Sequence, residues 1–240
     1  MDRNLPQFIL LRLKALYYRK TLRNWGIADK SEFAILKRFI PQGGTCLDVG
    51  ANIGLYSLIM SELVGHEGNV YAFEPIPNTY KILLENLKYK NCNNVTVLRL
   101  ALSDHNRAVR MMIPAYEDGT PAHGEARIDN TAGASAGIEV ESAKLDDLIT
   151  SIDGDISLIK VDIEGHELSF LRGALSTIRS VRPAVYSEVS VDKEEIFKVF
   201  LDLDYTPWVI QEDGKLLAAD DASVGVNYLF VPSEQSSQLC

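Results

Sequence analysis

The 240-residue sequence is poor in cysteine and histidine, with three residues of the first type and four of the second. The cysteines form no C-x-x-C pair, and no two histidines stand at the spacing of metal ligands. A disulfide framework and a zinc site are therefore not expected. We interpret the cysteines as free thiols in a reducing compartment.

The sequence also lacks a long hydrophobic run. Its most apolar N-terminal stretch, Phe8–Tyr18, is interrupted by Arg12 and Lys14 and is shorter than the roughly 20 apolar residues that cross a bilayer. It has neither the unbroken apolar run nor the small-residue cleavage site of a signal peptide. We therefore expect no transmembrane segment and a cytoplasmic location.

Positive charge is scarce outside the N-terminus. Residues 1–40 carry nine Lys or Arg against three Asp or Glu, whereas the remainder carries fifteen against thirty. Lys and Arg neutralise the phosphates in nucleic-acid complexes. The acidic body therefore argues against a nucleic-acid partner and for a small-molecule one.

Three segments differ in pattern. Residues 1–42 predict a helical extension, with an amphipathic helix over 5–23 and a second over 31–40. The first helix either packs on the domain or rests on an anionic membrane surface. Residues 43–232 form the main domain, and the polar residues 233–240 a flexible tail. The oligomeric state is not predicted.

Strand and helix patterns alternate through the main domain. Strands are predicted over 45–50, 69–74, 95–100, 156–162 and 184–189, helices between them, and an antiparallel pair over 206–211 and 226–231. This order predicts an α/β fold with parallel strands and right-handed crossovers. Residues 114–137 lose the apolar periodicity and predict either a mobile loop near the site or surface disorder.

The first predicted strand ends in a glycine-containing loop, Asp48-Val49-Gly50-Ala51-Asn52-Ile53-Gly54. Ligands of open α/β sheets bind beyond the carboxyl ends of the strands. The Gly50-x-x-x-Gly54 spacing differs from the dinucleotide pattern Gly-x-Gly-x-x-Gly, and Asp48 would repel a pyrophosphate. Asp48 suits a cationic ammonium group instead. We therefore predict that Asp48, Gly50, Ala51, Asn52 and Gly54 bind S-adenosylmethionine.

Residues that follow the second and third strands extend this prediction to the rest of the cofactor. Glu74 ends the second strand, where an acid accepts hydrogen bonds from both ribose hydroxyls. After the third strand, Leu102 is expected to pack on adenine, with Ser103 and Asp104 near its exocyclic amine. Taken alone, Ser103-Asp104 is also an ordinary turn pair.

The sequence resembles the FkbM-type methyltransferases in five blocks: 47–57, 72–75, 101–104, 144–148 and 159–167. The similarity covers roughly residues 45–190. It implies a Rossmann-like class I methyltransferase fold over 43–232, with a mostly parallel seven-stranded sheet and helices on both faces. It also implies S-adenosylmethionine as cofactor and, commonly, O-methylation of sugars or hydroxylated natural products.

The acceptor is expected where the fourth strand ends. Asp162 and Glu164 alternate there, so both can point toward one face, and Glu188 ends the next strand. Asp162 is expected near the sulfonium of the cofactor or the acceptor, so it is a candidate for cofactor binding as well. Together with His166 these three acids are the candidates for the base that removes a hydroxyl proton, and Lys160 is expected to pair with a carboxylate. Each also has a structural reading: a helix cap for Asp162, a helix start for His166, and ion pairs for the glutamates.

Several alternatives stay open at this point. Asp162 and Glu188 are compatible with Mg²⁺, which prefers carboxylates and water, although no metal site is predicted. The acceptor is either a hydroxyl of a small molecule or a different group such as an amine. A noncatalytic S-adenosylmethionine-binding module and a nucleotide-dependent oxidoreductase are the rival functions.

Overall fold

The computed structural model describes residues 16–17, 31–114, 126–128, 137–221, 223 and 227–236. The helix predicted over 5–23 lies outside these residues, apart from Leu16 and Tyr17, which are helical. Most of the irregular segment predicted over 114–137 also lies outside them. Among the described residues, no helix is long and apolar enough to cross a membrane.

The elements follow the predicted alternation, with boundaries that differ by a few residues. The helices are α1 (Ser31–Leu36), α2 (Leu55–Val64), α3 (Pro77–Lys90), α4 (Leu145–Leu148), α5 (Glu167–Gly173), α6 (Leu175–Val181), α7 (Lys193–Asp202) and α8 (Ser233–Ser236). The strands are β1 (Thr45–Val49), β2 (Asn69–Phe73), β3 (Val95–Leu98), β4 (Ala101–Leu102), β5 (Ala108–Met112), β6 (Arg127–Ile128), β7 (Ile138–Ala143), β8 (Ile156–Val161), β9 (Ala184–Glu188), β10 (Tyr205–Ile210), β11 (Leu216–Ala218) and β12 (Asn227–Pro232).

The main sheet has the order β11-β10-β12-β9-β8-β1-β2-β3. The strands β3, β2, β1, β8 and β9 are parallel neighbours, so their carboxyl ends meet along one edge. β12 lies antiparallel between β9 and β10, which confirms the predicted closing pair. The sheet has eight strands rather than the expected seven, because β11 adds to the edge as a hairpin partner of β10.

The two faces of the sheet bury different clusters, because successive side chains of a strand point to opposite sides. On one face, Leu47, Ile159 and Val185 pack with residues of α5, α6 and α7. On the other, Cys46 and Leu158 pack with residues of α1 and α2. This double coverage explains why the parallel strands are almost continuously apolar. Charged side chains are exceptions in these strands, and all of them lie near the carboxyl ends: Asp48, Lys160 and Glu188.

A second, smaller sheet was not predicted. It has the order β4-β7-β5-β6 and buries Val109, Met111 and Val140 against Ile76 and Ala101. Its strands β5 and β7 alternate between buried and exposed residues, as half-buried strands do. This sheet stands beside the carboxyl end of β2 and forms one wall of the cavity described below.

The first residues of the predicted tail, Ser233–Ser236, form the short helix α8. Arg182 holds it by two hydrogen bonds to the Glu234 carboxylate, of 3.0 and 2.6 Å, and stands 4.6 Å above the ring of Tyr205. The rest of the tail, 237–240, lies outside the described residues.

Candidate active site

The loop after β1 turns sharply at Gly50, which has a φ of +77°. A Cβ on Gly50 would lie 1.9 Å from the backbone oxygen of Asp162, so only glycine lets this loop approach the end of β8. The loop is also fixed from the other side, because the N–H groups of Gly50 and Ala51 both donate to the Phe73 carbonyl at 3.0 Å. The ends of three strands are thereby held together.

Glu74 lies directly beneath this loop. Its Oε2 accepts a hydrogen bond from the backbone N–H of Asn52 at 2.9 Å, and its Oε1 accepts one from Ile76 at 2.8 Å. Only 4% of the residue is exposed. Burial raises the pKa of Glu74 to about 7, against the opposing effect of the two N–H donors. The two elements that the sequence singled out, the glycine loop and the second-strand acid, are therefore in direct contact.

A cavity opens at this carboxyl edge between the main sheet and the small sheet. Its lining combines apolar and polar side chains, and Glu74 is among the polar ones. The apolar lining comprises Ile76, Leu100, Leu102, Met111, Ala126 and Ile128, and the polar lining includes Asn52, Glu74, Asp162, Glu164 and His166. Seven predicted site residues line this space: Gly50, Asn52, Glu74, Leu102, Asp162, Glu164 and His166.

The remaining predicted residues do not line the cavity. Ala51 and Gly54 belong to the loop but pack against α3. A Cβ on Gly54 would lie 2.4 Å from a Leu83 methyl carbon. Asp48, Lys160, Ser103, Asp104 and Glu188 also stand outside the lining. Their contacts indicate what each does instead.

Asp48 and Lys160 form a buried pair behind the loop. Asp48 has no exposed surface; its Oδ2 accepts a hydrogen bond of 2.5 Å from Ser57, and its Oδ1 lies 3.4 Å from the Lys160 Nζ. The same Nζ lies 3.5 Å from Asp162 Oδ2. The predicted pairing of Lys160 with a carboxylate is confirmed, whereas Asp48 faces the protein interior.

His166 lines the cavity and contacts Ser103, the residue that follows β4. Its Nε2 lies 2.9 Å from the Ser103 Oγ, and Ser103 donates to Asp104 Oδ1 at 3.2 Å. Burial lowers the pKa of His166, although the nearby Asp104 opposes this effect. The imidazole is therefore predominantly neutral near pH 7. Its partner Ser103 directly follows Leu102, which also lines the cavity.

The loop that carries Asp162 and Glu164 is organised by Glu167, which the sequence analysis did not single out. Glu167 Oε1 accepts hydrogen bonds from the backbone N–H groups of Ile163 at 3.2 Å and Gly165 at 3.1 Å. Glu164 has a φ of +54° and Gly165 one of +88°, so the loop needs such support. An acid in the first turn of a helix after a strand was the available signal.

Glu188 ends β9 at the rim, opposite Asn227 of β12. Burial raises the pKa of Glu188, the negative charge of Asp162 raises it further, and Lys160 lowers it. The two carboxylates are thus electrostatically coupled. In the described part of the chain, no group of three or more His, Cys, Asp or Glu residues is arranged to hold a metal ion, so the magnesium hypothesis gains no support.

Part of the apolar wall was not predicted from the sequence. Met111, Ala126 and Ile128 come from β5, β6 and the residue before β6. The alternation of apolar and polar residues over Ile138–Ala143 was the signal for this sheet, since period-two patterns predict half-buried strands.

The strand order, with the antiparallel strand β12 inserted near the end of a parallel sheet, and a cavity at the carboxyl edge are those of the class I methyltransferase fold. A solved structure of methyltransferase FkbM from Methylobacillus flagellatus KT is similar, with a TM-score of 0.53 and 19% identity over 79% of this chain and 44% of that one. The predicted fold class is confirmed.

Residues 48–212 match the family model described as the methyltransferase FkbM domain. The chain therefore belongs to the FkbM methyltransferase family, as its motifs predict. It is 29% identical to methyltransferase sdnD of Sordaria araneosa, over 56% of this chain and 61% of that protein. It is 30% identical to hexuronic acid methyltransferase AglP of Haloferax volcanii, over 63% of this chain and 59% of that protein. The chain thus spans about three fifths of the length of these two relatives.

Proposed function

We propose that this protein is an S-adenosylmethionine-dependent O-methyltransferase that acts on a hydroxyl of a sugar or similar small molecule. The observation that carries the proposal is a cavity at the carboxyl edge that is lined by both apolar side chains and carboxylates, with the buried Glu74 held directly against the glycine loop. S-adenosylmethionine has the matching parts: a flat purine, a ribose diol and a cationic amino-acid end.

Residues of the cavity lining suit each of these parts. Leu102, Leu100 and Ile128 supply apolar surface for adenine. Glu74, which already accepts two backbone N–H bonds, has further lone pairs for the ribose hydroxyls, since a carboxylate offers about four acceptor sites. Asp162, whose side chain is 37% exposed, supplies negative charge for the cationic end. When bound, the cofactor supplies an electrophilic methyl group.

The acceptor hydroxyl requires positioning and removal of its proton. Holding the reacting atoms in line is worth roughly 7–11 kcal/mol in well-oriented systems. We assign the proton to Glu188, because it ends β9 at the rim, within electrostatic reach of Asp162 in the cavity lining. Burial and Asp162 also raise its pKa, which makes it a stronger base than an ordinary glutamate. His166 is disfavoured as the base, since its Nε2 is engaged by Ser103. Glu164, exposed at the rim, is left to contact the acceptor.

The acceptor class rests on two supports. The rim presents carboxylates, which accept hydrogen bonds from hydroxyl groups. One relative, AglP, is named a hexuronic acid methyltransferase, which favours a carbohydrate acceptor here as well.

The test is incubation of the purified protein with methyl-labelled S-adenosylmethionine and a panel of neutral sugars, uronic acids, phenols and amines. We expect label in a methyl ether, identified by mass spectrometry. Glu188→Gln serves as the matched variant and should transfer label far more slowly. Label on an amine would contradict the hydroxyl assignment. Cofactor binding with no transfer to any member of the panel would favour the noncatalytic binding module.

A further inference from the structure

Lys160 is a buried cation between the two loops that form the site, and only 4% of it is exposed. We propose that Lys160 is a positioning residue, which fixes the Gly50 carbonyl and the Asp162 carboxylate relative to each other and thereby sets the affinity for the cofactor. This inference rests on the proposed function, because it concerns the same cavity.

The contacts of the ammonium group carry the first step. The Nζ donates to the Gly50 carbonyl at 2.9 Å and lies 3.4 Å from Asp48 Oδ1 and 3.5 Å from Asp162 Oδ2. It also stands 5.0 Å from the centre of the Tyr56 ring, within the range of a cation–π contact. An ammonium has three N–H donors; one of them donates to the Gly50 carbonyl, and the two carboxylates lie within ion-pair distance. Lys160 therefore joins residues that follow two different strands.

The second step concerns the loop itself. The backbone N–H groups of Gly50 and Ala51 are held by the Phe73 carbonyl of β2. The Gly50 carbonyl is held by Lys160 from the side of β8. Without the lysine, the loop keeps its hydrogen bonds to Phe73 and Glu74 and loses the one that its Gly50 carbonyl accepts from the side of β8. Asp162, with its side chain 37% exposed, loses its cationic partner at the same time.

Lys160 also neutralises the buried Asp48, and this structural role has to be distinguished from positioning. Asp48 is fully buried, its Oδ1 has no hydrogen-bond donor among the described residues, and Lys160 lies beside that atom. Removing one partner of a buried ion pair is strongly destabilising because the other charge stays uncompensated. A loss of activity in a single Lys160 variant would therefore not distinguish positioning from folding. Neutralising Asp48 in the same protein removes this ambiguity.

The experiment compares Lys160→Met, the double variant Asp48→Asn/Lys160→Met and the wild type. Thermal denaturation reports folding, and calorimetry with S-adenosylhomocysteine reports affinity. We expect the double variant to recover most of the stability that the single variant loses. Its affinity should stay about tenfold or more below that of the wild type, each tenfold corresponding to about 1.4 kcal/mol. Asp48→Asn/Lys160→Gln repeats the comparison with a side chain that can still donate a hydrogen bond, and should recover part of the affinity.

Arg182→Met is the matched control. Arg182 also stands over a tyrosine ring and donates to backbone carbonyls and a carboxylate, but it precedes the amino end of β9. It should lose stability without losing affinity. Wild-type affinity in Lys160→Met or in the Asp48→Asn/Lys160→Met variant would overturn this inference and leave the proposed function intact. Absence of binding by the wild type would overturn the proposed function first.

Discussion

Titration of Glu74 gives a specific prediction for cofactor binding. In the ligand-free protein, burial raises the pKa of this carboxyl to about 7. Ribose hydroxyls that donate to Glu74 would favour its ionised form and lower that pKa in the complex. Binding therefore releases a proton below neutral pH, and the affinity for the cofactor should rise with pH until Glu74 is ionised in the free protein.

The size of the effect follows from the fraction of free protein in the competent state. With a pKa of about 7, roughly one tenth of the protein carries an ionised Glu74 near pH 6, and nearly all of it does near pH 8. The dissociation constant should thus be about tenfold larger at the lower pH. Glu74→Gln cannot ionise, so its affinity should be lower at pH 8 and independent of pH. The loss at pH 8 should be about 1.5–3 kcal/mol, the scale of hydrogen bonds to a charged group.

The assay is calorimetric titration with S-adenosylhomocysteine from about pH 6 to 8, in two buffers that differ in ionisation enthalpy so that proton release is measured directly. The glutamine variant is the control, because His166 and Glu188 titrate in both proteins. A wild-type affinity that does not change over this range would refute the reasoning. So would a variant that keeps the wild-type slope.

The same group predicts how stability depends on pH. Because the pKa of Glu74 in the folded protein lies above its ordinary value of 4.5, its contribution to the free energy of unfolding is fully present below about pH 4.5. That contribution is lost as the pH rises toward about 7. Relative to the wild type, Glu74→Gln should therefore gain stability from pH 5 to 8 in denaturant titrations. A constant difference between the two proteins would contradict the assignment.

Three further predictions concern other residues. Gly50→Ala and Gly43→Ala both place a Cβ at a φ of +77°, but only the first meets backbone, at 1.9 Å, while the second meets nothing within 4 Å. The Gly43 variant should cost about 1–2 kcal/mol of backbone strain and the Gly50 variant clearly more; equal losses in thermal denaturation would contradict the packing argument. Glu188→Gln should lower kcat by about 100-fold or more, the contribution of a general base, with cofactor affinity nearly unchanged, and a wild-type rate would remove Glu188 from the mechanism. His166→Asn should weaken cofactor binding yet keep the pH dependence of kcat, whereas loss of that dependence would identify His166 as the base.

Much of the fold was accessible from the sequence because its signals are local. Strands buried on both faces appear as short apolar runs, as Thr45–Val49 and Ile156–Val161 do, and turn residues separate them from helices. The order of these runs fixes a parallel sheet. The small sheet was missed because its strands β4 and β6 have two residues each and the sequence between β5 and β7 shows no apolar periodicity. Tertiary contacts, rather than local propensity, decide such short strands.

The site, too, could be predicted from the sequence only in part. Gly50 and Glu74 could be paired in advance, because residues that follow neighbouring parallel strands meet at one edge of the sheet. The direction of a buried side chain could not be read in this manner. Asp48 turns inward because Lys160, its register partner on β8, offers a positive charge there. The contact of His166 with Ser103 joins residues 63 positions apart in the sequence, and no spacing rule predicts it.

The central claim is that the carboxyl-edge cavity binds S-adenosylmethionine and its demethylated product. Calorimetry of the wild-type protein with S-adenosylhomocysteine at pH 8, followed by the same titration with NAD, tests it most directly. We predict saturable binding of one S-adenosylhomocysteine per chain and no detectable heat with NAD. Binding of NAD in place of S-adenosylhomocysteine, or of neither compound, would contradict the account.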